Sequence, residues 1–237
     1  MSKMGNKGKK LMILALALTF ILGVMSFVSA QPVGGSLTEG ESERRVADNS
    51  KTHDAVAGNI TALDITANQI TNIWQGYFGN ISGGITLDNA DNDTFYDWTG
   101  SEPTGEVFAA RAAVSDWTTT ECSNQTALYK EEEALTILNA SSEGINDTFV
   151  PGTHPSFTVG SLGAFTTCRN ALPYDDTGAE AFWNVLLNAD QGTLVYTSII
   201  NGTSNAFDGE GTVDFELLVP TDTTQSSTTY YFYLELS

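Results

Sequence analysis

Apolar residues fall along this chain in three successive patterns, and each predicts a different kind of element. Leu11–Phe27 is apolar except for Thr19, Gly23 and Ser26, a run that as a helix is long enough to enter a bilayer. Residues 31–56, QPVGGSLTEGESERRVADNSKTHDAV, are polar and glycine-containing with no sustained apolar period. They predict a linker or stalk, with room for a short helix at Glu41–Ala47. From Asn59 onward β-branched and aromatic residues alternate with Gly, Asn and Asp, the pattern of short strands between turns.

Within that last region NITALDIT (59–66), QITNIWQGYFG (69–79), ISGGITL (81–87), TFYDW (94–98) and GEVFAAR (105–111) read as successive strands, with a tight turn at Gly79-Asn80. QTALYKEEEALTILN (125–139) departs from the β pattern. Leu128, Leu135, Leu138, Ala127, Ala134 and Ile137 fall on a helical spacing with Glu131–Glu133 facing out, so a helix is expected there. FTVGSLGAFTTC (157–168) reads as a strand pair. FWNVLLN (182–188) and TLVYTSII (193–200) flank a hairpin turn at residues 189–192. At the C-terminus Val213, Phe215, Leu217 and Val219 share one strand face against Asp214 and Glu216. Tyr230, Phe232, Leu234 and Leu236 share another against Tyr231, Tyr233 and Glu235. Period-2 alternation predicts one face in the core and one in water, and the two strands read as a final hairpin joined through Pro220 and the Thr/Ser run. About ten short strands at this spacing, with at most one or two short helices, predict a β-sandwich of immunoglobulin-like or jelly-roll-like type.

The N-terminal run has three parts. Met1–Lys10 carries Lys3, Lys7, Lys9 and Lys10 and no acid; the apolar stretch follows; Val28-Ser29-Ala30 then puts small residues at the −3 and −1 positions of a cut between Ala30 and Gln31. This is the layout of a cleaved secretory signal. The competing readings are a retained anchor and a pilin-type signal cut near Gly8 that keeps the apolar helix. The lysines directly after Gly8 and the V-S-A site favour the first. The domain plan is then signal peptide 1–30, polar stalk 31–56 and β-sandwich 57–237.

Charge narrows the partners. The full chain carries −19, and because four of its ten basic residues lie in Met1–Lys10, loss of residues 1–30 takes it to −23. Such a surface repels nucleic acid and anionic headgroups, which leaves the leader as the sole membrane contact. The two cysteines, Cys122 and Cys168, form one disulfide if the chain is exported. With His53 and His154 as the only histidines they make a poor zinc set.

WQGYFGNISGGITLDNADNDTFYDW (74–98), SFTVGSLGAF (156–165) and FDGEGTVDFELLVPTDTTQSSTTYYFYLEL (207–236) resemble a group of archaeal secreted cell-surface glycoprotein-type modules. The resemblance runs over about residues 55–237 and includes both cysteines. It implies an extracellular, cell-surface setting and a β-rich fold, and it supplies no catalytic residues.

Candidate chemistry is sparse. Seven N-x-[S/T] sites stand at Asn59, Asn80, Asn92, Asn124, Asn139, Asn146 and Asn201. Export would expose them to glycosylation, Asn80 and Asn92 first because they flank a strand. Asp88, Asp91, Asp93 and Asp97 are a weak Ca²⁺ candidate, since Thr94 holds the glycine position and Gly100 the bidentate-acid position of the helix-loop-helix template. A turn rich in Asp and Asn explains them equally well. No other cofactor is indicated. Neither histidine accompanies a nucleophile motif, and Gly209-Glu210-Gly211 lacks the helix that a phosphate loop needs. For glycan stacking the candidates are Trp74, Tyr77, Phe78, Trp98 and Trp117, with Tyr231 and Tyr233 expected to be the better exposed pair. Ile70, Trp74 and Phe78 share a face that reads as core. The expectation is a non-enzymatic exported structural or adhesive protein. Its partners would be copies of itself or other cell-surface components, in a filament or layer built by strand exchange with 59–66 as the donated strand. The alternatives are a glycan- or calcium-binding module and a pilin-like subunit.

Overall fold

The computed structural model describes residues 31–98, 105–138, 140–190 and 192–235; the leader, Asn139 and Leu236 lie outside them. The chain is mainly β. Its strands are β1 (Val33–Gly34), β2 (Trp74–Gly79), β3 (Thr86–Asp88), β4 (Thr94–Asp97), β5 (Glu106–Ala110), β6 (Glu121–Cys122), β7 (Val150–Pro151), β8 (Arg169–Ala171), β9 (Asn184–Ala189), β10 (Thr193–Ile199), β11 (Phe215–Pro220) and β12 (Tyr231–Leu234). The helices are α1 (Gln125–Ala134) and α2 (Ile145–Thr148).

An eight-stranded antiparallel sheet runs β1-β12-β5-β10-β9-β8-β7, with β6 also paired to β9. Every residue of β5 and β9 is buried, so the middle of this sheet is covered on both faces. Alternation sorts the side chains. Val107, Ala109, Leu186, Leu194 and Tyr196 point to one face, where they meet Ala127 and Leu128 of α1, its C-cap Leu135, and Leu217 and Val219 of β11. Phe108, Ala110, Val185, Leu187 and Val195 point to the other and are covered by Trp117, Phe157 and Val159 from the connecting loops. Burying each of these large side chains contributes roughly 1.5–3 kcal/mol.

A second sheet, β11 with β2, lies over the first face. Its inner edge is stitched down by side chains. Asn184 Nδ2 donates to Glu216 O at 2.7 Å, Leu218 N donates back to Asn184 Oδ1 at 2.7 Å, and Ser198 Oγ donates to Glu216 O at 2.8 Å. Asn184 thus satisfies β11 as a neighbouring strand would. The expected C-terminal hairpin does not form: β11 pairs with β2, and β12 pairs with β5 and β1. Both strands carry the right alternation, but alternation says nothing about which strand lies alongside.

The hairpin at 182–200 does form, as β9 and β10, with Asp190 at φ 47° in its turn. The helix over 125–139 forms but ends at Ala134. Asn124 caps it, accepting from Ala127 N at 3.0 Å. Ile137 N donates to Glu132 O and Thr136 N to Glu133 O, a Schellman ending with Thr136 at φ 57° in the place usually held by glycine. Thr223 holds that ending, N–H to Leu135 O and hydroxyl to Thr136 O. Between Phe157 and Phe165 only an isolated bridge forms.

Cys122 and Cys168 are joined, their Cα atoms 5.1 Å apart. Strands β6 and β8 lie end to end on the edge of β9 that β10 leaves open, since Cys122 is opposite Leu187 and Asn170 opposite Val185. The disulfide therefore ties two pieces too short to hold that edge alone.

Candidate interaction surface

The stalk and the first expected strand behave differently from the sequence plan. Val33 and Gly34 are not stalk but the edge strand of the large sheet, opposite Leu234 and Tyr233. From residue 35 to residue 72 the chain then has no helix or strand, so Glu41–Ala47 is not helical and 59–66 is not a strand. Ile60 is 102% exposed, Ile65 86% and Leu63 60%. This is a long loop fixed at both ends, by β1 and by β2. Burial and then the Glu39 carboxylate push the Tyr77 hydroxyl upward, which places the early part of the loop beside β2. Structureless connections of such length inside a domain are usually functional or disordered.

The loop also holds a repeat that periodicity searches for core faces pass over: A-x-x-I-T at 57–61, 62–66 and 67–71. In an extended strand this spacing puts Ile60 and Ile70 on one face and Leu63 and Ile65 on the other. A strand apolar on both sides has nowhere to lie on the outside of its own fold. The third copy ends at Thr71, whose hydroxyl accepts from Ile73 N and Trp74 N, each at 3.2 Å, and so starts β2. Trp74 is anchored by its indole N–H to Glu143 O at 2.8 Å and packs on Phe149, as the core reading expected. Phe78 instead is 47% exposed, resting edge-on against Phe207.

Only β11 pairs with β2 among the described residues, so the outer side of β2 is a sheet edge. Beyond it β3 and β4 form a separate two-stranded hairpin, exposed at every residue. Leu87 stands opposite Tyr96, and Trp98 N donates to Ile85 O, which puts Ile85, Leu87, Tyr96 and Trp98 on one face. Isolated two-stranded hairpins are marginal in water; this one carries an apolar face at its surface.

The hairpin turn contains the weak calcium candidates, and it corrects that reading. Asn89 Oδ1 accepts from Asp91 N and Asp93 N, and Asn89 Nδ2 donates to Asp93 Oδ2, while Asn92 takes φ 64°. The turn is organised by an asparagine. Asp88, Asp91, Asp93 and Asp97 do not converge, and no group of three His, Cys, Asp or Glu among the described residues is placed to hold a metal.

Several other polar side chains are tied into the fold. His154 accepts from Cys168 N through Nε2 at 3.0 Å, and Nδ1 faces Pro155 O at 2.9 Å, so the ring holds the loop by the disulfide. Tyr233 is not on a wet face. Its hydroxyl accepts from Val114 N at 2.9 Å and its ring meets Trp117, leaving Tyr231 as the exposed member of the pair. Asn201 Nδ2 donates to Ala181 O and Ser204 Oγ, and Asn146 Oδ1 accepts from Gln125 Nε2. Asn59, Asn80, Asn92 and Asn124 are exposed.

Two charged clusters escaped the sequence reading. Arg111 holds Glu131 bidentately at 2.6 and 2.7 Å, beside the fully buried Tyr196, and so clamps α1 to the sheet. At the other end, Glu106 and Glu235 are buried at 7% and 2% exposure, with Glu235 N donating to Glu106 O. Burial first, and then the Glu235 charge, pushes Glu106 up to about 8.

No family model, curated protein or solved structure matches the chain.

Proposed function

We propose that this chain is a non-catalytic, exported surface protein that works by contact with copies of itself or with other surface components. The observation that carries the reading is the loop 35–72, which presents Ile60, Leu63 and Ile65 to water in a segment apolar on both faces. Keeping such residues exposed is costly, and a strand slot in a neighbour would cover both sides at once. The open edge of β2 is the acceptor, and the apolar face of the β3–β4 hairpin lies next in sequence to shield the joint. With β2 and β11 as the smaller layer over the large sheet, the frame is a β-sandwich. Because donor and acceptor are different patches, the contact is head-to-tail and leads to filaments or layers.

The test replaces 59–66 by a Gly/Ser segment of equal length. Assembly seen by electron microscopy should disappear while the thermal midpoint stays within a few degrees, because the segment packs on nothing. A native protein that is only monodisperse monomer would sink this reading. Export also predicts glycan occupancy by peptide mapping at Asn59, Asn80 and Asn92, and none at Asn201, whose amide is already committed to Ala181 O and Ser204 Oγ. A sugar on Asn201 would contradict that order. A second reading has one observation in its favour: Tyr96 and Trp98, side by side at 4.8 Å on the exposed hairpin, offer rings for glycan stacking. A glycan array on the wild type and Tyr96→Ala decides it.

A further inference from the structure

Beyond residue 30 the chain has six basic side chains: Arg44, Arg45, Lys51, Arg111, Lys130 and Arg169. Three of them are built into the body. Arg111 holds Glu131, Lys130 lies within α1, and Arg169 lies in β8 and donates to Phe149 O at 2.8 Å. The other three stand in the loop 35–72, and Arg44-Arg45 is the one place beyond residue 30 where two basic residues adjoin. Every residue from 35 to 69 is exposed. Arg45 meets Asp48 at 3.1 Å, an exposed pair of little strength.

Endopeptidases bind their substrates in extended form, so exposed segments free of helix and strand are where chains are nicked. Arg44-Arg45-Val46 meets that demand and carries a double mark for a protease that cuts after basic residues. Cutting at Lys130 or Arg169 would first require α1 or β8 to unravel. Topology gives a cut in the loop a particular effect. Both ends of the loop are tied to one body, through β1 and through β2. While it is closed, a donated 59–66 strand must send the limb 35–58 back to its own β1, so two chains cross each joint. That limb also brings Glu39, Glu41, Glu43, Asp48 and Asp54 to a neighbour that is itself strongly acidic.

We propose that Arg44-Arg45 is a processing site for an endopeptidase of basic specificity, and that cutting there frees residues 46–72 as the donor arm. Hydrolysis of the Arg45–Val46 peptide bond takes up one water, leaves a carboxylate on Arg45 and creates a protonated α-amine on Val46. The arm stays rooted where Thr71 starts β2. It then docks as a single chain, without the entropic cost of closing the return limb, which grows with the logarithm of its length. The uncut loop thus holds the subunit back until it meets the protease. The inference rests on the strand-donation reading and adds the step that sets it off.

The experiment treats purified protein, expressed from the full chain, with an arginine-specific endopeptidase. N-terminal sequencing of the large fragment should show a first cut after Arg44 or Arg45, after which the body resists further digestion. Cut protein should assemble at a concentration at least about tenfold below that of uncut protein, followed by light scattering and electron microscopy. Arg44→Gln with Arg45→Gln changes exposed side chains alone, so it should keep the thermal midpoint while losing both the cut and its effect. A recognition site for a sequence-specific viral protease, placed at 44–50 of that double variant, should restore assembly when that protease is added. Cut and uncut protein that assemble at the same concentration, or a first cut at Arg111 or Arg169, overturn the processing site and leave strand donation intact. Failure of both forms to assemble sinks strand donation and the processing site with it.

Discussion

Reducing the Cys122–Cys168 bond, or replacing both cysteines by serine, is expected to lower the stability by about 4 kcal/mol, the chain-entropy value for a loop of this length. The separation is 46 residues, and the closed loop contains α1, α2 and β7. For a body of this size the loss corresponds to roughly 10 °C in the thermal midpoint. The damage should be local at first. Strands β6 and β8 hold β9 by two residue pairings each, so hydrogen exchange at Asn184–Leu187 should rise before exchange in β5 or β10. Urea unfolding with and without reductant checks the magnitude; a difference under 1 kcal/mol would mean that the bond only decorates a finished edge.

The second large effect is a pH dependence of unusual sign. Burial first, and then the Glu235 charge, pushes the Glu106 carboxyl up to about 8 from its ordinary 4.5. A carboxyl raised in the folded state binds its proton more tightly there than in the unfolded chain. The stability this group contributes is therefore greatest below about pH 4.5, falls through the interval up to about 8, and is gone above it. At its steepest the fall is about 1.4 kcal/mol per pH unit, the value for one proton. Glu106→Gln should flatten the curve in this interval, as measured by urea unfolding at stepped pH. A wild-type curve that is flat or rises between pH 5 and 8 would refute the assignment.

The fold was legible where local rules decide. The β9–β10 hairpin is two apolar runs around a turn, and α1 shows both its spacing and its Asn124 cap in the sequence. Its end was misjudged by a few residues because Thr136 does a job that usually announces itself as glycine. Pairing was not legible. Nothing in 213–219 or 230–236 tells that β11 joins β2 across a long stretch of chain or that β12 lies between β1 and β5. The same ignorance misplaced Glu235. Alternation set it beside Tyr231 and Tyr233 on a wet face, whereas loop residues from 114–117 and 157–162 cover that face. The segment 59–66 was misjudged in a more informative way. Its composition is that of a strand, but no strand among the described residues pairs with it, and its five-residue repeat carries apolar groups to both sides.

Anchoring the loop at both ends has a further consequence. A protease that nicks the chain anywhere between residues 35 and 72 cuts the segment carrying β1 off from the main body. That segment pairs with Tyr233 and Leu234 of β12. Once it leaves, Tyr231–Leu234 becomes a bare margin of the large sheet, beside the still-buried acids. Limited digestion would then turn a sealed flank into a sticky one, and the scissors would act far from any surface they alter.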